Sequence, residues 1–135
     1  MASVRVALNL SSPSVMSTAL TIGVSMNVQA DSGSVQRVKI LGTSAGSNPI
    51  TLYKASDKLD NAYLYVKNMA SEKENYIYVF ADTASDDPVI LKIGGGEFAF
   101  LPVKNDQTLK AYGTLVDQIV EFAVFGYDDS SNTLS

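Results

Sequence analysis

Leu20-Thr21-Ile22-Gly23-Val24-Ser25-Met26-Asn27-Val28 is the stretch that decides the fold class. Every second residue is large and apolar, and every residue between is small or polar. This period places Leu20, Ile22, Val24, Met26 and Val28 on one face of a strand, with Thr21, Gly23, Ser25 and Asn27 on the other. The alternation also rules the stretch out as a membrane-spanning helix, which needs an unbroken apolar run. The same period appears upstream, where Val4, Val6, Leu8 and Leu10 share a face until Pro13 and its neighbouring serines end it. Downstream, Asp31-Ser32-Gly33-Ser34 reads as a turn, because Gly tolerates positive φ and Asp and Ser bond locally. A third strand spans Val35 to Leu41, with Val38 and Ile40 inward and Arg37 and Lys39 outward.

The pattern continues to the C-terminal region. Gly42 to Pro49 is a loop of small residues, and Ile50 to Lys54 a short strand. Ala55 to Asn61 reads as a turn or a brief helical segment. Strands are expected at Tyr63 to Lys67, Tyr76 to Ala81, Val89 to Ile93, Glu97 to Val103, Leu109 to Tyr112 and Ile119 to Phe125. Pro102 ends regular pairing or lies on an edge. About nine or ten short strands with turns between them, and no amphipathic helix long enough for a crossover, predict an all-β fold. The expectation is a single-domain antiparallel β-sandwich, jelly-roll-like, over residues 1–135, with 1–12 as an N-terminal strand or arm and 127–135 as a flexible or docking tail.

At 135 residues with 46% apolar content, the chain has enough material for one core. Its net charge is −4, and its ten basic residues are scattered. With no basic block to neutralise phosphates, nucleic acid is not an expected partner. The start lacks a basic region followed by an apolar one, so no signal peptide is read there, and no membrane association is expected. Cysteine and histidine are both absent. That removes thiolate chemistry, the usual neutral-pH base and the commonest metal ligand.

What remains for chemistry is sparse. Gly94-Gly95-Gly96 could present N–H groups to a phosphate, but a strand follows it instead of a helix, so it reads as a hairpin loop needing positive φ. The acidic turns at Asp82 to Asp87 and Asp128-Asp129 lack calcium-loop spacing and read as solvated. Ser11, Ser12, Ser14 and Ser17 have no histidine to activate them. No catalytic residue, cofactor, metal or small-molecule substrate is expected.

The aromatic residues carry more information. Tyr63, Tyr65, Tyr76, Tyr78 and Phe80 occupy one set of alternate positions, while Leu64, Val66, Ile77 and Val79 occupy the other. Ile119 to Phe125 is likewise apolar on both sides. A sandwich sheet buries one face, so something must cover the second. A loop or the N-terminal arm of the same chain, a partner subunit, or a sugar stacked on the rings would each do so. Tyrosine favours the partner, since its ring is apolar and its tip polar. The candidate interface is Tyr63, Tyr65, Tyr76, Tyr78, Phe80 and Phe125.

Four segments carry a family resemblance: Ala62-Tyr-Leu-Tyr-Val-Lys-Asn68, Glu74-Asn-Tyr-Ile-Tyr-Val79, Ile93-Gly-Gly-Gly-Glu-Phe-Ala-Phe-Leu-Pro102 and Val120-Glu-Phe-Ala-Val-Phe-Gly126. In this order they resemble small all-β virion structural proteins of tailed bacteriophages, particularly cyanobacterial phages. A strand ending in Lys-Asn, a Gly-Glu-Phe-Ala-Phe-Leu-Pro-like hairpin and a C-terminal apolar strand recur there. The resemblance spans Ala62 to Gly126. It implies a non-enzymatic virion protein, made in the host cytoplasm. Its foremost role would be head decoration (cement), bridging major capsid protein subunits or other virion proteins, as a homo-oligomer with a trimer favoured. A tail, neck or fibre-associated protein, or a carbohydrate-binding host-attachment module, is the alternative it leaves open.

Overall fold

A computed structural model describes residues 2–13, 20–30, 35–54, 61–83, 87–104 and 106–127. The expected turn at Asp31 to Ser34, all but Asn61 of the turn or brief helical segment expected at Ala55 to Asn61, the acidic pair Asp128-Asp129, and Ser14 and Ser17 lie outside these residues. The described residues hold ten strands and no helix. They are β1 (Ala2–Ser12), β2 (Leu20–Ala30), β3 (Gln36–Lys39), β4 (Ile50–Tyr53), β5 (Asn61–Asn68), β6 (Ile77–Ala81), β7 (Val89–Ile93), β8 (Phe98–Val103), β9 (Leu109–Gly113) and β10 (Ile119–Tyr127). Tyr127, read from the sequence as the start of the tail, is the last residue of β10 and pairs with Asn61.

The strands form three antiparallel sheets. β3-β10-β5-β8 and β4-β9-β6-β7 are four-stranded and make up the sandwich, and β1-β2 is a two-stranded sheet of its own. Of the seven connections from β3 to β10, only β6 to β7 stays within one sheet. The other six pass between the sheets.

Alternation explains the core. In β5, Ala62, Leu64, Val66 and Asn68 are buried and Tyr63, Tyr65 and Lys67 are half-buried. Leu64 and Val66 meet Ile77 and Val79 of β6, Ala111 of β9, Ile40 and Val120 in one buried cluster. Each of these seven side chains is fully removed from water, worth about 1.5–3 kcal/mol for each large one. β8 is an edge strand that pairs only with β5. An edge tolerates Pro102, which has no N–H for the ladder.

The glycine run differs from its sequence reading in one respect. Gly96 does take positive φ, 83°, as expected of a turn. The turn is not a hairpin, however, since β7 borders one sheet and β8 the other. Gly94 to Glu97 carries the chain across the sandwich. It packs so closely on residues 70–73 that a Cβ on Gly95 would sit 2.2 Å from the Glu72 carbonyl oxygen.

Asn68 stands at the same end of the sandwich. It is wholly buried, and every hydrogen-bonding group of its side chain is used. Nδ2 donates to the Asn75 carbonyl at 2.7 Å and to the Ile93 carbonyl at 2.8 Å, and Oδ1 accepts from the Ala70 N–H at 3.0 Å. Gln118 adds a second tie, donating from Nε2 to the Asn75 carbonyl at 3.0 Å while Oε1 accepts from the Leu115 N–H at 2.7 Å.

Two substitutions test this end of the fold. Asn68→Ala strands the buried Ile93 carbonyl, removes a bond from the part-buried Ala70 N–H and leaves the Asn75 carbonyl to Gln118 alone, and should lower unfolding free energy by about 1–3 kcal/mol. Gly95→Ala forces the turn off residues 70–73 and should cost about 1–3 kcal/mol. Urea unfolding of both variants measures the losses. A loss within about 0.5 kcal/mol of zero, the range of ordinary surface changes, would remove the clamp from the account.

Candidate functional site

The six aromatic residues singled out from the sequence do not form one surface. Tyr63, Tyr65 and Phe125 lie on the outer face of the β3-β10-β5-β8 sheet, where Phe125 is directly opposite Tyr63. Tyr78 and Phe80 lie on the outer face of the other sheet, with Tyr76 just before β6. The thickness of the sandwich separates the two groups. The reason is the topology: β5 and β6 are consecutive in sequence but belong to different sheets, so their matching alternation points in opposite directions.

On the first face, Tyr63 stacks on Phe100 with ring centroids 5.7 Å apart and planes at 15°. Beside it, Tyr65 Oη donates to Glu121 Oε1 at 2.7 Å, and Arg37 Nε donates to Glu121 Oε2 at 2.7 Å. One carboxylate thus binds three strands, β5, β10 and β3. The Tyr65 hydrogen bond, followed by that of Arg37, holds the Glu121 carboxyl below the usual carboxylate range. Desolvation, followed by the bond to Glu121, pushes the Tyr65 phenol above its ordinary value, so the hydroxyl remains a donor at neutral pH.

On the second face, Tyr78 and Tyr112 are directly opposite in register and stack at 5.2 Å. Phe80 lies 5.7 Å from the Tyr112 ring and is only 1% exposed, so it offers no surface to a partner. Lys92 Nζ caps the Tyr76 ring at 4.2 Å, a cation–π contact. Both faces are therefore stitched together by their own side chains, through ring pairs, a charge triad and a capped ring.

The open apolar surface lies on β1 and β2, which the sequence reading did not single out as a site. Their register sets Val4 opposite Val28, Val6 opposite Met26, Leu8 opposite Val24 and Leu10 opposite Ile22, so all eight share one face of the ribbon. At the base, Val28 is buried and β2 approaches β10. Further along, Leu8, Leu10, Ile22, Val24 and Met26 are 42–58% exposed. Val6, Leu8, Val24 and Met26 form one wall of a groove of about 470 Å³, and Phe98 and Phe100 of β8 line another part of it. The alternation announced this face, but it gave no sign that the sandwich would leave the face uncovered.

The other candidates carry internal partners. The N–H groups of Gly94, Gly95 and Gly96 donate to Glu97 Oε1, the Lys73 carbonyl and the Asn68 carbonyl, leaving none of the three for a phosphate. Asp82 pairs with Lys110 at 2.9 Å, and Asp87 accepts from the Thr83 N–H. No group of three metal-ligating side chains occurs among the described residues.

The triad predicts a pH dependence. Because the Glu121 carboxyl titrates lower in the folded than in the unfolded chain, the unfolded chain binds more protons in this range. The triad's stabilisation is complete above the usual carboxylate range and is lost as pH falls below about 4–5. The unfolding midpoint of the native protein should drop more steeply between pH 6 and pH 3 than that of Glu121→Gln, and Tyr65→Phe should flatten the drop. Parallel curves for all three proteins would show that the triad is not the cause.

Compared with known proteins, the chain matches no family model, no curated protein and no solved structure.

Proposed function

We propose that this chain is a non-enzymatic structural protein of a bacteriophage particle, and that it serves as a head decoration subunit. The observation that carries the assembly reading is the β1-β2 ribbon, whose apolar face stays open over Leu8, Leu10, Ile22, Val24 and Met26. Continuous apolar surface of this kind marks a place of contact with another molecule. Among the described residues, every buried side-chain polar atom has a hydrogen-bond partner.

The strand order supports the phage reading. Two four-stranded antiparallel sheets in the orders β3-β10-β5-β8 and β4-β9-β6-β7, joined by six crossings and one hairpin, are read here as a jelly roll. That architecture recurs in viral capsid domains, and also in lectins and cupins, so fold alone does not select among them. The sequence pattern of Ala62 to Gly126, which resembles that of phage virion proteins, is the reason for preferring the first. In this role the protein is a homo-oligomer, with a trimer favoured, that docks on the major capsid protein. Repetition over many capsomers adds avidity to each weak contact.

Purified particles of the phage that encodes the chain provide the test. The protein should co-purify with DNA-filled heads, and density of its size should appear at capsomer joints in whole-particle cryo-EM. Its absence from particles, or its presence only on tails, would overturn the head assignment.

A further inference from the structure

We infer that the β1-β2 ribbon is the self-association element of this protein, its open apolar face packing against the same face of another copy on a shared symmetry axis. This deepens the assembly reading above by naming the partner of that face.

Three observations point to a second copy. The first is area. With the about 150–250 Å² of a large aromatic side chain as the upper bound for each, Leu8, Leu10, Ile22, Val24, Met26 and Phe98, at 42–63% exposure, offer at most roughly 450–700 Å² per copy. At that bound two copies together reach the ~1,000 Å² that a specific interface needs. The second is charge. Arg5 is the one charged residue in β1 and β2, and it pairs with Asn27 on the opposite, polar face. Packing two ribbons face to face therefore buries no charge and opposes no like charges, and no ion must be desolvated. The third is the exposed backbone. Among the described residues each strand of the ribbon forms a ladder only with the other, so neither outer edge carries a second strand. No proline or inward charge blunts them, as an edge meant to stay free would require. A two-stranded ribbon is marginal alone in water, whereas two ribbons stacked about 10 Å apart form a small sandwich.

Light scattering on the full chain after size exclusion tests this. The native protein should have two or three times the 14.4 kDa chain mass, and Val24→Lys should have one chain mass while still unfolding in one cooperative transition, at a midpoint that no longer rises with protein concentration. Val24→Cys, in a protein without other cysteines, gives an independent measurement, because mild oxidation should yield a disulfide-linked pair of chains. A monomeric native protein, a Val24→Lys variant that keeps the native mass, or a Val24→Cys protein that does not cross-link would each overturn the inference. Slow thiol labelling of a monomeric Val24→Cys would do so by showing the face covered by its own chain. Particle association is scored separately. A monomer found on heads sinks the ribbon contact and leaves the head role standing, and an oligomer absent from particles does the reverse.

Discussion

The Asn68 side chain joins the two sheets where no ladder can. Strands within a sheet hold one another through backbone pairs, but the sheets face each other through apolar side chains, which are non-directional. At one end of the sandwich, a single buried carboxamide reaches from the last residue of β5 to the final carbonyl of β7 and to the approach of β6. Three connections meet there: the loop from β5 to β6, the glycine turn from β7 to β8, and the turn before β10. Buried polar networks of this sort are costly when incomplete and rigid when satisfied. Here every donor and acceptor of the side chain is used, so the relative position of the sheets is fixed by direction as well as by burial.

From that fixed end, the surfaces follow. With the sheets in register, alternation in β5 and β10 turns Tyr63, Tyr65 and Phe125 outward from one sheet, and alternation in β6 turns Tyr78 outward from the other. Both outer faces then reduce their own exposure through ring pairs and through the Glu121 triad. The ribbon is the exception, since it is anchored by Val28 at its base and left open beyond Met26. Five of the twelve large apolar side chains that stay exposed among the described residues stand on the ribbon, and they share one of its faces.

The sequence was informative wherever a property depends on period. The strand faces of β2, β5 and β10, the inward direction of Val38 and Ile40, and the positive φ in the glycine run could all be read from it. It was silent wherever a property depends on which distant strand is the neighbour. Gly94-Gly95-Gly96 has the composition of a hairpin, and only the placement of β7 and β8 shows it to be a crossing. Tyr63 and Tyr65 alternate along one strand and Tyr76, Tyr78 and Phe80 along the next, yet consecutive strands in opposite sheets send the two groups to opposite sides. Asn68 looked like a polar residue ending a strand. Its burial follows from a β7 terminus that lies 25 residues away.

The central position of the final strands bears on how the chain is made. β10 lies between β3 and β5, and β9 between β4 and β6, so neither sheet is continuous until these last two strands have left the ribosome. Such long-separation pairing pays its loop-closure entropy before it gains contacts, and it folds slowly. The ribbon, by contrast, is local and complete once Ala30 has emerged, ahead of every strand of the sandwich. During synthesis it is therefore the one element already able to form, and its apolar face is presented while the rest of the chain is still unfolded. Nascent copies on one messenger are close together at that stage, which favours pairing of ribbons before the sandwich closes and also makes this stage the one most exposed to aggregation.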